Sequence, residues 1–551
     1  IFRVTTPAGV RDFPKGDCGW QYSAFGGSVT EEICNDNIVW AYDITPDSIM
    51  CDTSTMDLTG KWAIIRRGTC NFSIKAYYAQ QAGAVGVIIA NHYATTTDNG
   101  CSVIGMAAGT FADLITIPCI FVCRDAAEYI DAGIKAGATG GCFLFPHVTD
   151  ASAAYHYATP VSQVDTLDHL GIRFYNREPA TLYNIGLTAV VEEPGGSMTT
   201  LTATIDSAET GGVDVFTYFP SYLPPSVPGK FKITYSNDFY TESRDTLVRY
   251  FEHTAYTFAS DNLVIDPGGI SNDPAFVDAG LFAQSGALCL TSEAGGVATY
   301  ATFGLANAAD IYIPNPFGQE NDINVFLYDA DVDDDGTWEI NNDGSGSWDD
   351  LGGGLVGFAT YQVTGTEGVD SLFSVQLDDL NNPGTYQVAL KPNHPYYISL
   401  AYDGNEAGLG IMPRFCNSLD EFYLNFPTTP LYLGSMFTGG WNGAIVIQRL
   451  QLLGFDPSSS KTTVPRLNVD INITPNPATD VVRVNLDFGK NVNAATVTLM
   501  NGLGQAVRSE RLSNFQAGQT TFNVSELASG TYLLSVRTAE GVAIEKVAVC
   551  H

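Results

Sequence analysis

Leu58–Asn91 reads LTGKWAIIRRGTCNFSIKAYYAQQAGAVGVIIAN, and its punctuation decides how the chain begins. Trp62–Ile65 is a short apolar run suited to a buried strand, and Arg67 and Gly68 turn the chain. Ser73–Ala82 predicts a helix, with Phe72, Ala76 and Ala79 at helical spacing on the side that packs on a sheet. Gly83 suits the left-handed residue that ends a helix. Val85–Ala90 is a second apolar run, so the stretch predicts a βαβ unit.

Outward from this unit, 551 residues are too many for one ordinary core and predict three to five domains. Hydrophobic residues make up 45% and charged residues 16%, too apolar a balance for wholesale disorder. Sixty acidic against 26 basic side chains give a formal charge of -34, which repels nucleic-acid phosphates and anionic membrane faces. No nucleic-acid partner is expected. No apolar run approaches the roughly 18 residues that span a bilayer, so no membrane span is expected. The chain starts at Ile1 without an initiator Met or an export signal, which reads as a mature, processed chain.

The fold class expected is mainly β and multidomain. Residues 1–158 mix strands and helices as an α/β domain, and 168–258 have the strand spacing of an immunoglobulin-like β-sandwich. Residues 259–455 are long enough for a jelly-roll-like β-sandwich. Asp456–Pro465 (DPSSSKTTVP) is a linker by composition, and 466–551 form a small β-sandwich of seven or so alternating strands.

Two segments resemble known families. Gly60, Lys61, Arg67, Gly68, Cys70, Phe72, Lys75, Ala82, Gly83 and Ala84, with Ile117 and Pro118 later, resemble the protease-associated domain. That resemblance implies a non-catalytic accessory module for substrate or partner contacts. Thr474-Pro475-Asn476-Pro477-Ala478, Gly504 in a Leu-Gly-Gln turn, Leu527-Ala528-Ser529-Gly530-Thr531-Tyr532 and Lys546 resemble the C-terminal sorting domain of the type IX secretion system of Bacteroidota. It implies cargo of that machinery, carried across the outer membrane to the cell surface or released. More loosely, Pro224–Tyr235 (PPSVPGKFKITY) resembles a strand of bacterial immunoglobulin-like spacer modules. Five Asp-Ser/Thr-apolar sites, at Ser48, Thr166, Ser207, Thr246 and Ser371, resemble the O-glycosylation motif associated with Bacteroidota.

Eight of the 11 cysteines fall in the first 142 residues without zinc-type spacing, which points to an oxidising compartment. Cys51 with Cys70 and Cys18 with Cys34 are the preferred pairs, and Cys289 is expected to bond Cys416. Cys119 and Cys123 sit four apart in an expected strand, roughly 13 Å, beyond the ~7 Å Cα reach of a disulfide. Cys550 is the odd thiol and a candidate for an intermolecular bond.

No catalytic constellation is read. The seven histidines form no metalloprotease spacing, and Gly344-Ser345-Gly346 lies in an Asp-rich loop without the strand-turn-helix context of a nucleophile elbow. Asp331, Asp333 and Asp335 followed by Gly336 give DxDxDG, which sets carboxylates inside a tight turn as calcium demands. Thr337 and Glu339 continue the candidate ligand set. Asn342 at position twelve and strand-like flanks exclude an EF-hand. Trp338, Trp348 and Trp441 are candidate platforms for sugar rings.

The function expected is non-enzymatic: a structural subunit of an extracellular filament or surface layer, whose partners are copies of itself set head to tail. The alternatives are a calcium-dependent adhesin or glycan-binding protein, and an accessory factor of a separate peptidase.

Overall fold

The computed structural model describes every residue except 28–32, 45–48, 92–99, 145–146, 179, 211–214, 240–244, 266–282, 315–320, 335, 337–353, 369–370, 403–416, 420–430, 433–435, 438–443, 458–463 and 503. The chain divides into two compact units, 1–149 with 240–246 and 150–239 with 247–551.

In the first unit Trp62–Arg66, the helix Phe72–Gln81 and Gly86–Ala90 make a parallel crossover. Cys119–Val122 and Ile38–Trp40 flank it in parallel and Trp20–Tyr22 adds an antiparallel edge, a five-stranded sheet. Parallel strands are covered on both faces and so read as unbroken apolar runs. Ala63, Ile65, Val87, Ile89 and Phe121 share a core with Ala76 and Ala79 of the first helix. Ile64, Ile88 and Ile120 face the other way, toward Ala126, Ala127 and Ile130 of a second helix, Arg124–Lys135. Gly83 ends the first helix at φ +95°, and a Cβ there would stand 2.8 Å from Thr59 Oγ1.

Three disulfides staple this unit: Cys18–Cys101, Cys34–Cys142 and Cys51–Cys70. The expected Cys18–Cys34 pair is not formed. Cys34 stands directly opposite Cys142 in two neighbouring antiparallel strands, Ile33–Asn35 and Gly140–Phe143. That proximity comes from sheet pairing across 108 residues, so local spacing carries no trace of it. Closing long loops removes more freedom from the unfolded chain, about 3 kcal/mol for ~15 residues and about 4.7 for ~100. Cys119 opens its strand, but Cys123 has left it. The Cys123 sulfur caps the second helix by accepting from the Ala126 N–H at 3.4 Å, and both thiols are buried and unbonded.

The second unit is built on two large sheets. The first is ten-stranded and runs, in order, Met198–Ala208, Leu182–Glu192, Gly229–Asn237, Leu247–Thr254, Ala158–Pro160, Thr257–Ala259, Gln448–Leu452, Gly296–Leu305 and Ser371–Gln376, with Val388–Leu390 also on Gly296–Leu305. Strands of both expected segments, 168–258 and 259–455, lie in this one sheet. Ala158–Pro160, at the expected end of the first domain, is the join. It pairs in parallel with Leu247–Thr254 and antiparallel with Thr257–Ala259. An open edge leaves backbone N–H and C=O groups unpaired, and inserting one short strand satisfies both edges together. Phe231 and Phe251 stack at 4.5 Å on the inner face of the first half.

The second sheet is seven-stranded, ordered Asp378–Asp379, Leu355–Gln362, Asp322–Asp329, Pro395–Tyr402, Ala283–Leu290, Leu431–Tyr432 and Met436–Phe437. Every residue of Asp322–Asp329 and Pro395–Tyr402 is buried, so both faces of these antiparallel strands are covered. Alternation divides them between two cores. Ile323, Val325, Leu327, Tyr396, Ile398 and Leu400 face the ten-stranded sheet, joined by Phe303, Val375 and Leu450. Phe326, Tyr328, Tyr397 and Ala401 face away, into a second core described below.

The C-terminal segment has five strands instead of seven or so. Runs expected as separate strands fuse into Val481–Met500 and Ala506–Asn523, of 20 and 18 residues. The pairing of these two shifts between Asp487 and Val492. Such an irregularity bends a ribbon, which lets one hairpin serve two layers. Asp470–Thr474 pairs with its first half and Gly530–Thr538 with its second. Gly541–Val549 completes the layer.

Candidate functional site

A cavity of about 260 Å³ opens in the second unit, walled by Tyr155, His156, Gln163, Asp165, Asp168, Phe251, His253 and Ser292. The chain reaches it from the segment around Ala158–Pro160, the strand Leu247–Thr254 and the turn after Leu290. The imidazoles set its chemistry. His156 is buried, and its Nε2 accepts the Leu290 N–H at 2.8 Å. An accepting nitrogen must be unprotonated, and burial pushes the group down to about 3, so the ring is neutral near pH 7. His253 is lowered by burial too, and its Nδ1 faces the Pro225 carbonyl at 3.1 Å. His169, outside the cavity lining, is lowered by burial, and its ring lies tilted by 34° against the Tyr155 ring with centroids 3.8 Å apart.

The amide of Gln163 clamps the adjoining turn, donating to the Gly295 carbonyl at 2.6 Å and accepting from the Ser292 N–H at 3.0 Å. Thr291 Oγ1 donates to the Lys391 carbonyl at 2.6 Å and accepts from the His394 N–H at 3.0 Å. The wall groups are thus committed to the fold, while Asp165, Thr166 and Asp168 are exposed at the rim. The cavity presents an aromatic face and acidic acceptors. In the first unit, Asp245 Oδ1 accepts from both the backbone N–H (2.7 Å) and Nδ1 (3.0 Å) of His147. This pair has the geometry of the orienting half of a catalytic triad, but both side chains are buried, which closes the imidazole to substrate.

Asp331 and Asp333 are the described members of the expected calcium set; Asp335, Thr337 and Glu339 lie outside the described residues, as do Trp338, Trp348 and Trp441. Asp331 Oδ2 accepts the Gly336 N–H at 3.1 Å and its own N–H bonds Asp329 Oδ1 at 3.1 Å. The positive charge beside the loop comes from the protein. Lys391 Nζ stands 3.0 Å from Asp329 and 2.6 Å from Asp334, and His394 Nε2 bonds Asp329. Partial burial works against the ammonium, but the two carboxylates outweigh it and hold its pKa above the usual lysine value. Lys391 in turn draws the Asp334 carboxyl below its ordinary range. Among the described residues no group of three or more His, Cys, Asp and Glu side chains is placed to hold a metal ion.

The second face of the seven-stranded sheet is covered by the C-terminal segment. Leu288, Phe326, Tyr328, Leu355, Phe358 and Tyr397 share one core with Val464, Met500, Leu533, Val542 and Ile544. Arg537 donates from Nε to Asp322 Oδ2 at 2.9 Å and from Nη2 to Oδ1 at 3.3 Å, and both residues are buried. Tyr328 donates its hydroxyl to the Gly502 carbonyl at 2.8 Å. Gly504, at φ +87°, lies against the Phe326 ring, whose atoms a Cβ would meet at 2.5 Å.

Residues 27–130 match the PA domain and residues 472–550 match the secretion system C-terminal sorting domain. The chain carries an N-terminal protease-associated domain and a C-terminal type IX sorting domain. It is a secreted protein of the Bacteroidota type, exported across the outer membrane to the cell surface or the extracellular space. No curated protein matches the sequence. Among solved structures, a zinc aminopeptidase from Bacillus subtilis aligns at 18% identity over 26% of this chain and 29% of that one, TM-score 0.19. An aminopeptidase from Aneurinibacillus aligns at 13% over 44% and 35%, TM-score 0.18, so the match spans about a third of either enzyme. The BSP domain of a biofilm-associated protein aligns at 11% over 74% and 84%, TM-score 0.14. Scores this low carry no argument about activity.

The protease-associated match covers four strands of the five-stranded sheet, all but the edge strand Trp20–Tyr22, with the whole first helix and the start of the second, and the sorting-domain match covers the five-stranded module that bears Arg537. Of the remaining sequence candidates, Cys289 is a buried unbonded thiol within the sandwich core, which corrects the expected Cys289–Cys416 bond; Cys416 lies outside the described residues. Cys550 is exposed and unbonded, with its backbone N–H on the Ala478 carbonyl at 2.9 Å. Thr166 and Ser207 are exposed, Thr246 and Ser371 half-buried, and Ser48 lies outside the described residues. Sequence reasoning missed the cavity histidines and the Arg537–Asp322 pair. One signal for the pair existed: Leu533, Ser535 and Arg537 fall on the same face of one strand, an odd place for a charge with no partner.

Proposed function

We propose that the chain is a non-enzymatic structural subunit of an extracellular assembly, repeating head to tail on the cell surface. The supporting observation is the ten-stranded sheet that runs without a break through both middle modules. Interdomain hinges normally sit in linkers crossed by few contacts. Here Ala158–Pro160 replaces the hinge with backbone hydrogen bonds, which suits a part that transmits force rather than one that closes on a substrate. The neutral, engaged histidines of the cavity agree with a binding surface that performs no proton transfer. Cys550, exposed at the C-terminal end, is available to bond the next copy.

The test is sedimentation and negative-stain imaging of the full chain over a range of concentration and salt. Polymers that grow with both are expected, because a charge of -34 makes copies repel until salt screens them. A monomer under all these conditions overturns the reading, and monomer alone on non-reducing gels removes the Cys550 bond.

The cavity favours a second reading, a glycan-binding adhesin that uses Tyr155 as a stacking face and Asp165 and Asp168 as acceptors. Glycan-array signal lost on Tyr155→Ala supports it. Saturable co-purification with a peptidase would instead favour an accessory role for the protease-associated domain.

A further inference from the structure

We infer that the outer face of the seven-stranded sheet is a receptor for this chain's own sorting domain, and that the sorting domain stays seated when the linker is cut. The inference concerns an interaction surface and stands apart from the assembly proposed above.

It starts from the alternation of Asp322–Asp329 and Pro395–Tyr402. A sandwich that ended at 455 would need only one apolar face, and the other residues of these strands would be polar. Instead Phe326, Tyr328, Tyr397 and Ala401 face away from the ten-stranded sheet and are buried in one core with Met500, Leu533, Val542 and Ile544 of the sorting domain. The sorting domain shows the mirror pattern. Leu534 and Val536 face its own core, while Leu533 and Arg537 face the sandwich. In Gly541–Val549, Ala543, Val547 and Val549 face inward and Val542 and Ile544 face out. Two surfaces written with matching apolar rows, and with a bidentate Arg537–Asp322 pair between them, have the character of an obligate interface, a core cut in half.

The contacts also fix orientation. Tyr328 reaches the Gly502 carbonyl at one place, Arg466 Nη1 reaches Asp378 Oδ2 at 2.6 Å at another, and Lys546 Nζ meets Asn381 Oδ1 at 3.3 Å at a third. None of these depends on the linker. A cut there removes a tether and leaves every contact in place. It follows that the face of Gly530–Thr538 and Gly541–Val549 engaged here is closed to any other partner while docked. Machinery that reads the sorting domain must use its other surfaces or meet it undocked.

The experiment places a site for a specific protease within 458–463 of the full chain, cuts the purified protein, and runs it on a sizing column under reducing, non-denaturing conditions. Co-elution of both fragments after dilution is expected. Two separate peaks from fragments that remain folded by circular dichroism overturn the inference. In the same cut chain, Arg537→Leu strands a buried Asp322 and is expected to weaken association about a hundredfold or more. Lys546→Ala, at the exposed rim, is expected to change it little. If Arg537→Leu does not fold before cutting, the unsubstituted cut chain still decides. Failure of this test leaves the polymer test untouched, and the reverse holds as well.

Discussion

Arg537 and Asp322 lie 215 residues apart and meet as a two-bond guanidinium-carboxylate pair with neither side chain open to solvent. Arg537 is held further by its Nη1, which donates to the Thr538 carbonyl at 2.6 Å. A buried pair is costly to break from one side, since the survivor keeps its charge without its partner. Arg537→Leu or Asp322→Leu alone is expected to lower stability by about 3–5 kcal/mol, while the two together recover most of that loss. Urea unfolding of the four proteins measures it; additive single effects in the double variant would contradict the pairing.

Deleting the sorting domain is expected to do more than remove a tail. It uncovers Phe326, Tyr328, Leu355, Phe358 and Tyr397 together. A contiguous apolar patch of that kind drives association. A chain ending before Val464 should therefore bind a dye that reports exposed apolar surface and should aggregate, whereas the full chain should leave the dye silent. A truncated chain that stays monomeric and dye-silent would contradict the interface.

The first unit was legible from Leu58–Asn91 because its strands are local, buried on both faces and punctuated by Gly68 and Gly83. The sorting module was legible from its turn residues, though Val481–Met500 hides its bend, since an irregularity at 487–492 leaves the alternation on either side intact. What stayed hidden is non-local. Ala158–Pro160 is three residues long and joins two modules by backbone hydrogen bonds that leave no side-chain pattern. The Cys34–Cys142 partnership arises from strand register alone. The two histidines of the cavity wall, His156 and His253, come from separate stretches, so no spacing foretells their meeting.

Buried neutral histidine makes stability depend on pH in a definite direction. The folded value of His156, about 3, lies below the unfolded value near 6.5, so between these the unfolded chain binds the extra proton. Stability is complete above pH 6.5 and falls as pH drops through this window, by about 1.4 kcal/mol per unit for one such group. His169 and His253, also lowered by burial, act in the same direction. Glu252 and Glu545, raised by burial, oppose it only near the carboxylate range. Urea midpoints at pH 7 and pH 5 should differ, and His156→Gln should shrink the difference. An unchanged difference would mean that His156 is not buried neutral.

The loop around Asp331 holds Lys391 between Asp329 and Asp334. With a protein ammonium as counter-charge, these carboxylates repel one another less than bare acids would. Lys391→Ala is expected to lower the melting temperature and to make it rise on adding calcium, the cation the DxDxDG spacing suits. The unsubstituted chain should shift less. A larger calcium shift in the unsubstituted chain would mean that calcium binds beside Lys391 rather than in place of its charge.

The thiols give a readout of burial in the native chain. Burial pushes the Cys119 thiol up to about 12 and raises Cys123 and Cys289 as well, and a thiol must ionise to react. Cys550 is exposed. Brief native labelling with a maleimide, followed by digestion and mass analysis, should modify Cys550 and spare Cys119, Cys123 and Cys289. In urea all four should label, while the six cysteines of Cys18–Cys101, Cys34–Cys142 and Cys51–Cys70 should need a reductant first. Replacing Cys34 and Cys142 by Ser should cost about 2–5 kcal/mol. Native labelling of Cys289 would show that the sandwich core opens, and with it the strand Ala283–Leu290, which pairs with Pro395–Tyr402.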